Sequence, residues 1–309
     1  PTYGLSYGRS YTLDLGDTRY ATGESLDVNE FDFSIKNNPD GLDNNYESIS
    51  FLNREISPDD NLIIIFPVEM NIETFDIEIS DLTGVIIPSS ATWNDLNRTL
   101  VISPVYSFAY GREYKLSLGA GIEYANGGLL SSLEQFFSVF IIDNADGLDN
   151  NYESISFLDQ VISPDSDLTV VFPVEMDTET FEIEISDTTG VVVPSSATWD
   201  VTCKTLTVSP TYGLAYGREY ILKLGSTIEF ANGGLLSDQP QNFTVVTEDH
   251  LTGLSNDISS TNFFEVEIQP DSKLIINFTR QMDTGSFVIS LSDTPEITYV
   301  WRNSNTTWK

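Results

Sequence analysis

The chain has 309 residues, with 47 Asp and Glu against 14 Lys and Arg, a formal net charge of -33, one His and one Cys. That length suits roughly two or three domains, and with 40% hydrophobic and 12% aromatic residues there is ample material for packed cores, so the acidity does not signal disorder. So negative a surface repels phosphate backbones and anionic lipid, which excludes nucleic acid as a partner, and no apolar run is long enough for membrane insertion.

The first element is Leu5-Ser-Tyr-Gly8-Arg-Ser-Tyr11, which returns as Phe108-Ala-Tyr-Gly111-Arg-Glu-Tyr114 and as Leu214-Ala-Tyr-Gly217-Arg-Glu-Tyr220. Each copy follows a proline (Pro1, Pro104, Pro210) and leads into an alternating strand such as Tyr220-Ile-Leu-Lys-Leu224. An apolar residue, a turn glycine and a tyrosine heading a strand predict a tyrosine corner. Its ring plugs the end of a β-sandwich and its hydroxyl bonds backbone upstream. Residues 1–37 hold only this closing part of a unit, ending in a strand at Phe31-Asp-Phe-Ser-Ile35.

Residues 38–143 and 144–249 are complete units. Phe66-Pro-Val-Glu-Met70 returns 106 residues on as Phe172-Pro-Val-Glu-Met176, and after the same interval in altered form as Phe278-Thr-Arg-Gln-Met282. Ile56-Ser-Pro-Asp59, Ile162-Ser-Pro-Asp165 and Ile268-Gln-Pro-Asp271 keep that interval. The period exceeds solenoid repeats and matches one sandwich domain. Within the second unit, strands are expected at 154–157, 168–172, 181–185, 191–193, 205–208, 220–224 and 243–246, about seven in all. Ala231-Asn-Gly-Gly234 has the chemistry of a tight turn with positive φ. Phe66, Phe172 and Phe278, with Tyr11, Tyr114 and Tyr220, are expected to anchor the cores, and no ten-residue stretch has helical periodicity.

Residues 250–309 hold only the opening part of a unit, stopping after Thr307-Trp308, the counterpart of Thr198-Trp199. Placed tail then head, the two end segments nearly make a third domain, short of nine residues matching 201–209 that carry one strand. Two readings follow. The chain is a window on a longer tandem array, consistent with its start at Pro1 without Met or signal peptide, as in a processed product or a piece of something longer. Alternatively, copies assemble head to tail through 1–37 and 250–309, because half a sandwich exposes an apolar face and sheet edges that strand addition would cover.

The run 168–246 resembles bacterial Ig-like domains found in tandem in surface-layer proteins and large adhesins. The resemblance rests on Phe172-Pro-Val-Glu-Met-Asp-Thr-Glu-Thr180, the Leu214-x-x-Gly217-x-x-Tyr220 corner and the Glu229-Phe-Ala-Asn-Gly-Gly234 turn. The same pieces recur across nearly the whole chain, although the third copy carries Arg280-Gln281 in place of Val-Glu and runs three residues longer between Thr294 and Asn305. It implies an all-β protein of tandem Ig-like β-sandwiches, two complete and one split between the ends. It also implies an extracellular filament, stalk or surface-layer module without chemistry of its own. The rival readings are a ligand-binding adhesin, with carbohydrate or another surface ligand held near the unrepeated Trp301, and a non-catalytic spacer of a secreted hydrolase.

For chemistry the strongest candidates are the junctions Asp40-Gly-Leu-Asp43-Asn-Asn45-Tyr-Glu47 and Asp146-Gly-Leu-Asp149-Asn-Asn151-Tyr-Glu153. Clustered hard oxygens on a turn suit Ca²⁺, so Asp40, Asp43, Asn45, Glu47, Asp146, Asp149, Asn151 and Glu153 are its candidate ligands. The other reading is an Asp-Gly turn in a solvated acidic linker. The third copy, Thr252-Gly-Leu-Ser-Asn-Asp257, has lost ligands. Glu182/Glu184 and Asp76/Glu78 pair carboxylates on the expected solvent face of strands, which gives no glycosidase cleft. His250, the only histidine, offers neither a triad nor a multi-histidine metal site. Trp93, Trp199 and Trp308 recur and read as structural; Cys203, standing where the first unit has Asn97, reads as a local thiol. No catalytic residue is assigned.

Overall fold

Apolar side chains at alternate positions bury one face of a strand and leave the other wet, and that pattern builds both complete repeats. The structure, a computed structural model, describes residues 5–39, 43–94, 96–145, 147–251, 253–286, 288–292 and 298–302, with backbone alone for 284, 291, 292 and 298–302. An N-terminal hairpin consists of β1 (Ser10–Asp14) and β2 (Glu30–Ser34). The first repeat holds β3 (Ser48–Ile49), β4 (Glu55–Ile56), β5 (Leu62–Ile65), β6 (Ile77–Asp81), β7 (Ser89–Trp93), β8 (Thr99–Pro104), β9 (Glu113–Leu118) and β10 (Gln135–Ile141). The second holds β11 (Ser154–Ile155), β12 (Val161–Ile162), β13 (Leu168–Val171), β14 (Ile183–Asp187), β15 (Ser195–Trp199), β16 (Thr205–Pro210), β17 (Glu219–Leu224) and β18 (Gln241–Thr247). The C-terminal segment adds β19 (Ile258–Thr261), β20 (Ile276–Phe278), β21 (Val288–Ser292) and β22 (Thr298–Arg302). Among the described residues the only helical turns are Ile72–Thr74 and Thr284–Ser286, and no helix is long and apolar enough to cross a membrane.

Each complete repeat is two four-stranded sheets, β3-β5-β8-β7 with β4-β10-β9-β6 and β11-β13-β16-β15 with β12-β18-β17-β14. All pairings are antiparallel except β4 with β10 and β12 with β18. Inward residues of both sheets share one core: Leu62, Ile64, Leu100 and Ile102 meet Ile79, Leu116, Leu118 and Val139, as expected of an Ig-like sandwich. The eight strands exceed the seven expected. β12 has only two residues, and β15 (Ser-Ser-Ala-Thr-Trp) is nearly all exposed, so neither carries hydrophobic alternation; both exist through pairing with β18 and β16. Residues 191–193 form instead the short arm after a turn at 188–189, held to β14 only by the Ser186–Val192 bridge.

The three corners form as expected. The Tyr11, Tyr114 and Tyr220 hydroxyls each accept from a backbone N–H five residues upstream, of Ser6, Ala109 and Ala215, each at 2.9 Å. Burial pushes the Tyr114 hydroxyl above its usual pKa, and the Ala109 N–H partly opposes that shift. Tyr114→Phe leaves the buried Ala109 N–H without its acceptor and is expected to cost the first repeat about 1–3 kcal/mol in a denaturant melt.

The two ends differ from the complete repeats in what they cover. β1 and β2 pair in the register of β9 and β10, with Tyr11 opposite Phe33 as Tyr114 is opposite Val139. Yet Leu13 is 51% exposed where its counterpart Leu116 is 0%, and Tyr20 is 57% exposed where Tyr124 is 1%. At the other end Leu274 is 50% exposed where Leu168 is 0%. Phe278 and Tyr11 are half-buried and close no core, unlike Phe66, Phe172, Tyr114 and Tyr220. β21 pairs only with β22, with Ser292 opposite Thr298, continuing the register of the Ser186–Val192 bridge. The edge that β6 and β14 give to β9 and β17 is therefore unpaired in β21 among the described residues.

Candidate functional site

The corner of each repeat is also the joint to the next. Gly111 sits at φ +64°, donates its N–H to the Ile142 carbonyl at 2.9 Å, and a Cβ there would lie 2.1 Å from Nδ2 of Asn150. Asn150 is held in turn: its Oδ1 accepts from the Asn144 N–H at 2.8 Å and its Nδ2 donates to Oδ1 of Asp143 at 2.9 Å. Gly8 and Asn44 repeat the arrangement at the start of the first repeat, and Gly217 and Asn256 at the end of the second. One asparagine thus ties the outgoing strand, the junction loop and the corner turn.

The arginine after each corner glycine reaches into the following repeat. Arg112 lies with its guanidinium 4.9 Å from the Phe230 ring centre and donates to the Leu235 and Leu236 carbonyls at 2.8 and 3.1 Å. Arg9 lies 5.0 Å from the Tyr124 ring centre and donates to the Leu129 carbonyl at 2.7 Å. A cation on an aromatic face is worth about 0.5–2 kcal/mol, more when water is excluded. Beside these contacts Ala109 and Tyr110 pack on the second core, and buried Asn232 donates to the Ser107 carbonyl at 3.1 Å.

The third joint is different. Arg218 has no ring beneath it among the described residues; it pairs with Asp257 at 3.2 Å and is about half exposed. Arg280, standing where the complete repeats bury Val68 and Val174, turns back to pair with Asp165 and lies 5.0 Å from the Tyr216 ring centre. Tyr216 in turn meets His250 edge-on, with ring centres 4.7 Å apart.

Of the eight candidate calcium ligands, Asp40 and Asp146 lie outside the described residues. Oδ1 of Asp43 and of Asp149 accept from the N–H groups of Asn45 and Asn151, at 2.9 and 2.7 Å. Oδ1 of Asn45 accepts from the Tyr124 hydroxyl at 3.0 Å, Glu47 pairs with Arg98, and Glu153 is exposed. Among the described residues no group of three or more His, Cys, Asp or Glu comes together. Calcium at the joints is a proposal that a thermal melt with and without EDTA tests directly: a shift of several degrees supports an ion, and superimposable curves remove it.

Glu182, Glu184, Asp76 and Glu78 all project to solvent, as alternation predicted. Trp93 and Trp199 pack on Phe75 and Phe181 at 4.5 and 4.7 Å between ring centres. Trp308 lies outside the described residues, as does the side chain of Trp301. Cys203 shares the positive φ of Asn97, +55° against +49°, so it marks a turn. The joint residues Arg9, Arg112 and Arg218, with Asn44, Asn150 and Asn256, escaped the motif reading. Their signal was recurrence: three of only 14 basic residues follow the three corner glycines.

No family model matches the chain, and no curated protein matches it. Among solved structures it is similar to the N-terminal part of the bacterial S-layer protein SbsC, with 15% identity over 63% of this chain and 42% of that one, at a TM-score of 0.24. Three consecutive titin domains give 10% identity over 82% of each chain at 0.28. The mouse nectin-like molecule 4 ectodomain gives 11% over 67% and 65% at 0.20. The chain spans 42% and 33% of the two first SbsC structures. At these values the assignment to Ig-like sandwiches rests on the chain's own sheets and corners.

Proposed function

We propose that this protein is a non-catalytic, extracellular structural subunit of a filament, stalk or surface layer, built of Ig-like beads and joined head to tail. The observation that carries this reading is the built joint between consecutive Ig-like beads, with Asn150 held on the Gly111 corner and Arg112 on the Phe230 ring of the next repeat. In the complete repeats β6 runs beside β9 with Ile77 opposite Leu118 and Ile79 opposite Leu116. The same register brings β1 of a second copy to the open edge of β21, with Leu15 opposite Ile289 and Leu13 opposite Leu291. Strand addition of this kind satisfies the edge hydrogen bonds and covers both apolar faces at once. S-layer neighbours at low similarity are in keeping with such a role. Sizing the purified 309-residue chain across concentration, with negative-stain imaging, tests it. Ordered polymers with an axial repeat of about three domains are expected, and a monomer that stays dispersed at every concentration overturns the reading.

A further inference from the structure

We propose that Asn242 is the acceptor for an N-linked oligosaccharide, carried on the open side of β18. The inference rests on the extracellular reading and adds a modification to it. Asn242-Phe-Thr244 fits Asn-x-Ser/Thr, the pattern an oligosaccharyltransferase reads. Asn97-Arg-Thr99, Asn277-Phe-Thr279 and Asn305-Thr-Thr307 fit it too, so the triplet alone decides nothing. The fold separates them. Asn242 and Thr244 are both exposed on the outer face of β18, because residues two apart share one face of a strand. Phe243 between them turns inward and meets Tyr152 and Phe157 edge-on, with ring centres 5.3 and 6.4 Å apart, which fixes the outward aim of its neighbours. Among the described residues neither the Asn242 amide nor the Thr244 hydroxyl makes a hydrogen bond.

Elsewhere the same groups are in use. Asn277 Nδ2 donates to Ser260 Oγ at 2.8 Å, and Thr279 Oγ1 donates to the Asn256 carbonyl at 2.7 Å. Thr99 Oγ1 accepts from Asn94 Nδ2 at 3.2 Å, and Asn97 is half-buried in a turn at φ +49°. Asn305 lies outside the described residues. The surroundings of Asn242 also have room for a sugar. β12 pairs with β18 only at Val246 and Thr247, so residues 241–244 keep one side of the strand open among the described residues. That side is a groove of about 470 Å³, in which Asn242 and Thr244 stand beside Phe157, Leu158 and Val161. An open strand edge next to apolar side chains can pair with another chain, and a bulky, hydrated group blocks that approach. The first repeat guards the same place differently: Phe136 replaces Asn242, and Lys115 Nζ lies 3.6 Å from its ring centre. The donor is a lipid-linked oligosaccharide. Nδ2 bonds the anomeric carbon, the bond from that carbon to the lipid phosphate oxygen breaks, and Nδ2 gives up one proton as the lipid phosphate leaves.

The test is peptide mapping by mass spectrometry on the protein recovered from the cells that make it, with surface and interior fractions kept apart. The surface fraction is expected to carry hexose or N-acetylhexosamine masses on the peptide holding Asn242, with Asn97 and Asn277 bare. Thr244→Val should abolish that mass and Thr244→Ser should keep it, because the transferase reads a hydroxyl two residues on. Both variants change an exposed side chain, and a circular-dichroism melt checks that the second repeat stays folded. Surface protein with a bare Asn242 overturns the site and leaves the extracellular reading standing, as does a mass that survives Thr244→Val. Equal occupancy of Asn97 or Asn277 overturns selection by the fold. Protein found only in the interior fraction, unmodified, ends the extracellular reading and the site with it.

Discussion

Gly111→Ala is expected to cost the first repeat roughly 2–4 kcal/mol and to loosen its joint to the second. Two separate effects combine at this position. A left-handed φ of +64° is strained for any residue with a Cβ, by about 1–2 kcal/mol. The Cβ would also overlap Nδ2 of Asn150 at 2.1 Å, forcing that side chain off the Asn144 N–H and Asp143 carboxylate. Gly190 separates the two effects, because it has φ +88° with nothing within 4 Å of its Cβ position. Gly190→Ala therefore reports strain alone and should cost the smaller amount. Adding Asn150→Ala to the Gly111 variant removes the overlap with Asn150 but neither the strain nor the approach to Asp143 Oδ1 at 2.8 Å, so the two substitutions should be non-additive in a double-mutant cycle. Protease cleavage within the junction loop should accelerate for Gly111→Ala and not for Gly190→Ala. Equal costs for the two glycine variants would show that Asn150 does not press on the corner.

Such a joint bears on function through stiffness. A row of sandwiches connected by bare linkers bends freely, since domains linked through small contacts move relative to one another. Here the joint between the two complete repeats is pinned by Asn150 on Gly111, by Arg112 on the Phe230 ring, and by Tyr110 lying on the next core. At the last joint Asn256 presses on Gly217 in the same way, while Arg218 pairs with Asp257 instead of a ring.

The fold was legible because its signals are local. Alternation in Glu113–Leu118 or Glu219–Leu224 states which face is buried without reference to any other segment, and the corner Gly and Tyr sit within one short motif. The joint was less legible because its partners are far apart in the chain. Arg112 meets Leu235 across 123 positions, and periodicity says nothing about which loop faces which corner. The acidic residues of the junction drew attention through their charge, while the residue that ties it together is a neutral asparagine. β15 escaped because Ser195 to Ala197 carry little apolar surface, and its partner β16 decides that it is a strand.

The largest contrast is expected between Leu116→Ala and Leu13→Ala, the same residue at the same position of the repeat. Leu116 is fully enclosed between the two sheets of the first repeat, and truncating it leaves a cavity that costs about 3–5 kcal/mol. For a unit of about a hundred residues that lowers its melting transition by well over 10 °C. Leu13 faces solvent in the free chain, so truncation there should change the dilute chain's melt by no more than about 0.5 kcal/mol. Assembly reverses the ranking. If β21 of another copy closes over β1, Leu13 becomes a core leucine, and its loss should raise the half-assembly concentration roughly a hundredfold, the equivalent of about 2.7 kcal/mol. Leu116→Ala, acting inside a bead that is already closed, should leave assembly of the still-folded chain unchanged. A Leu13 variant that assembles like the unchanged chain would mean that the N-terminal hairpin stays open in the polymer, and that copies meet through some other surface.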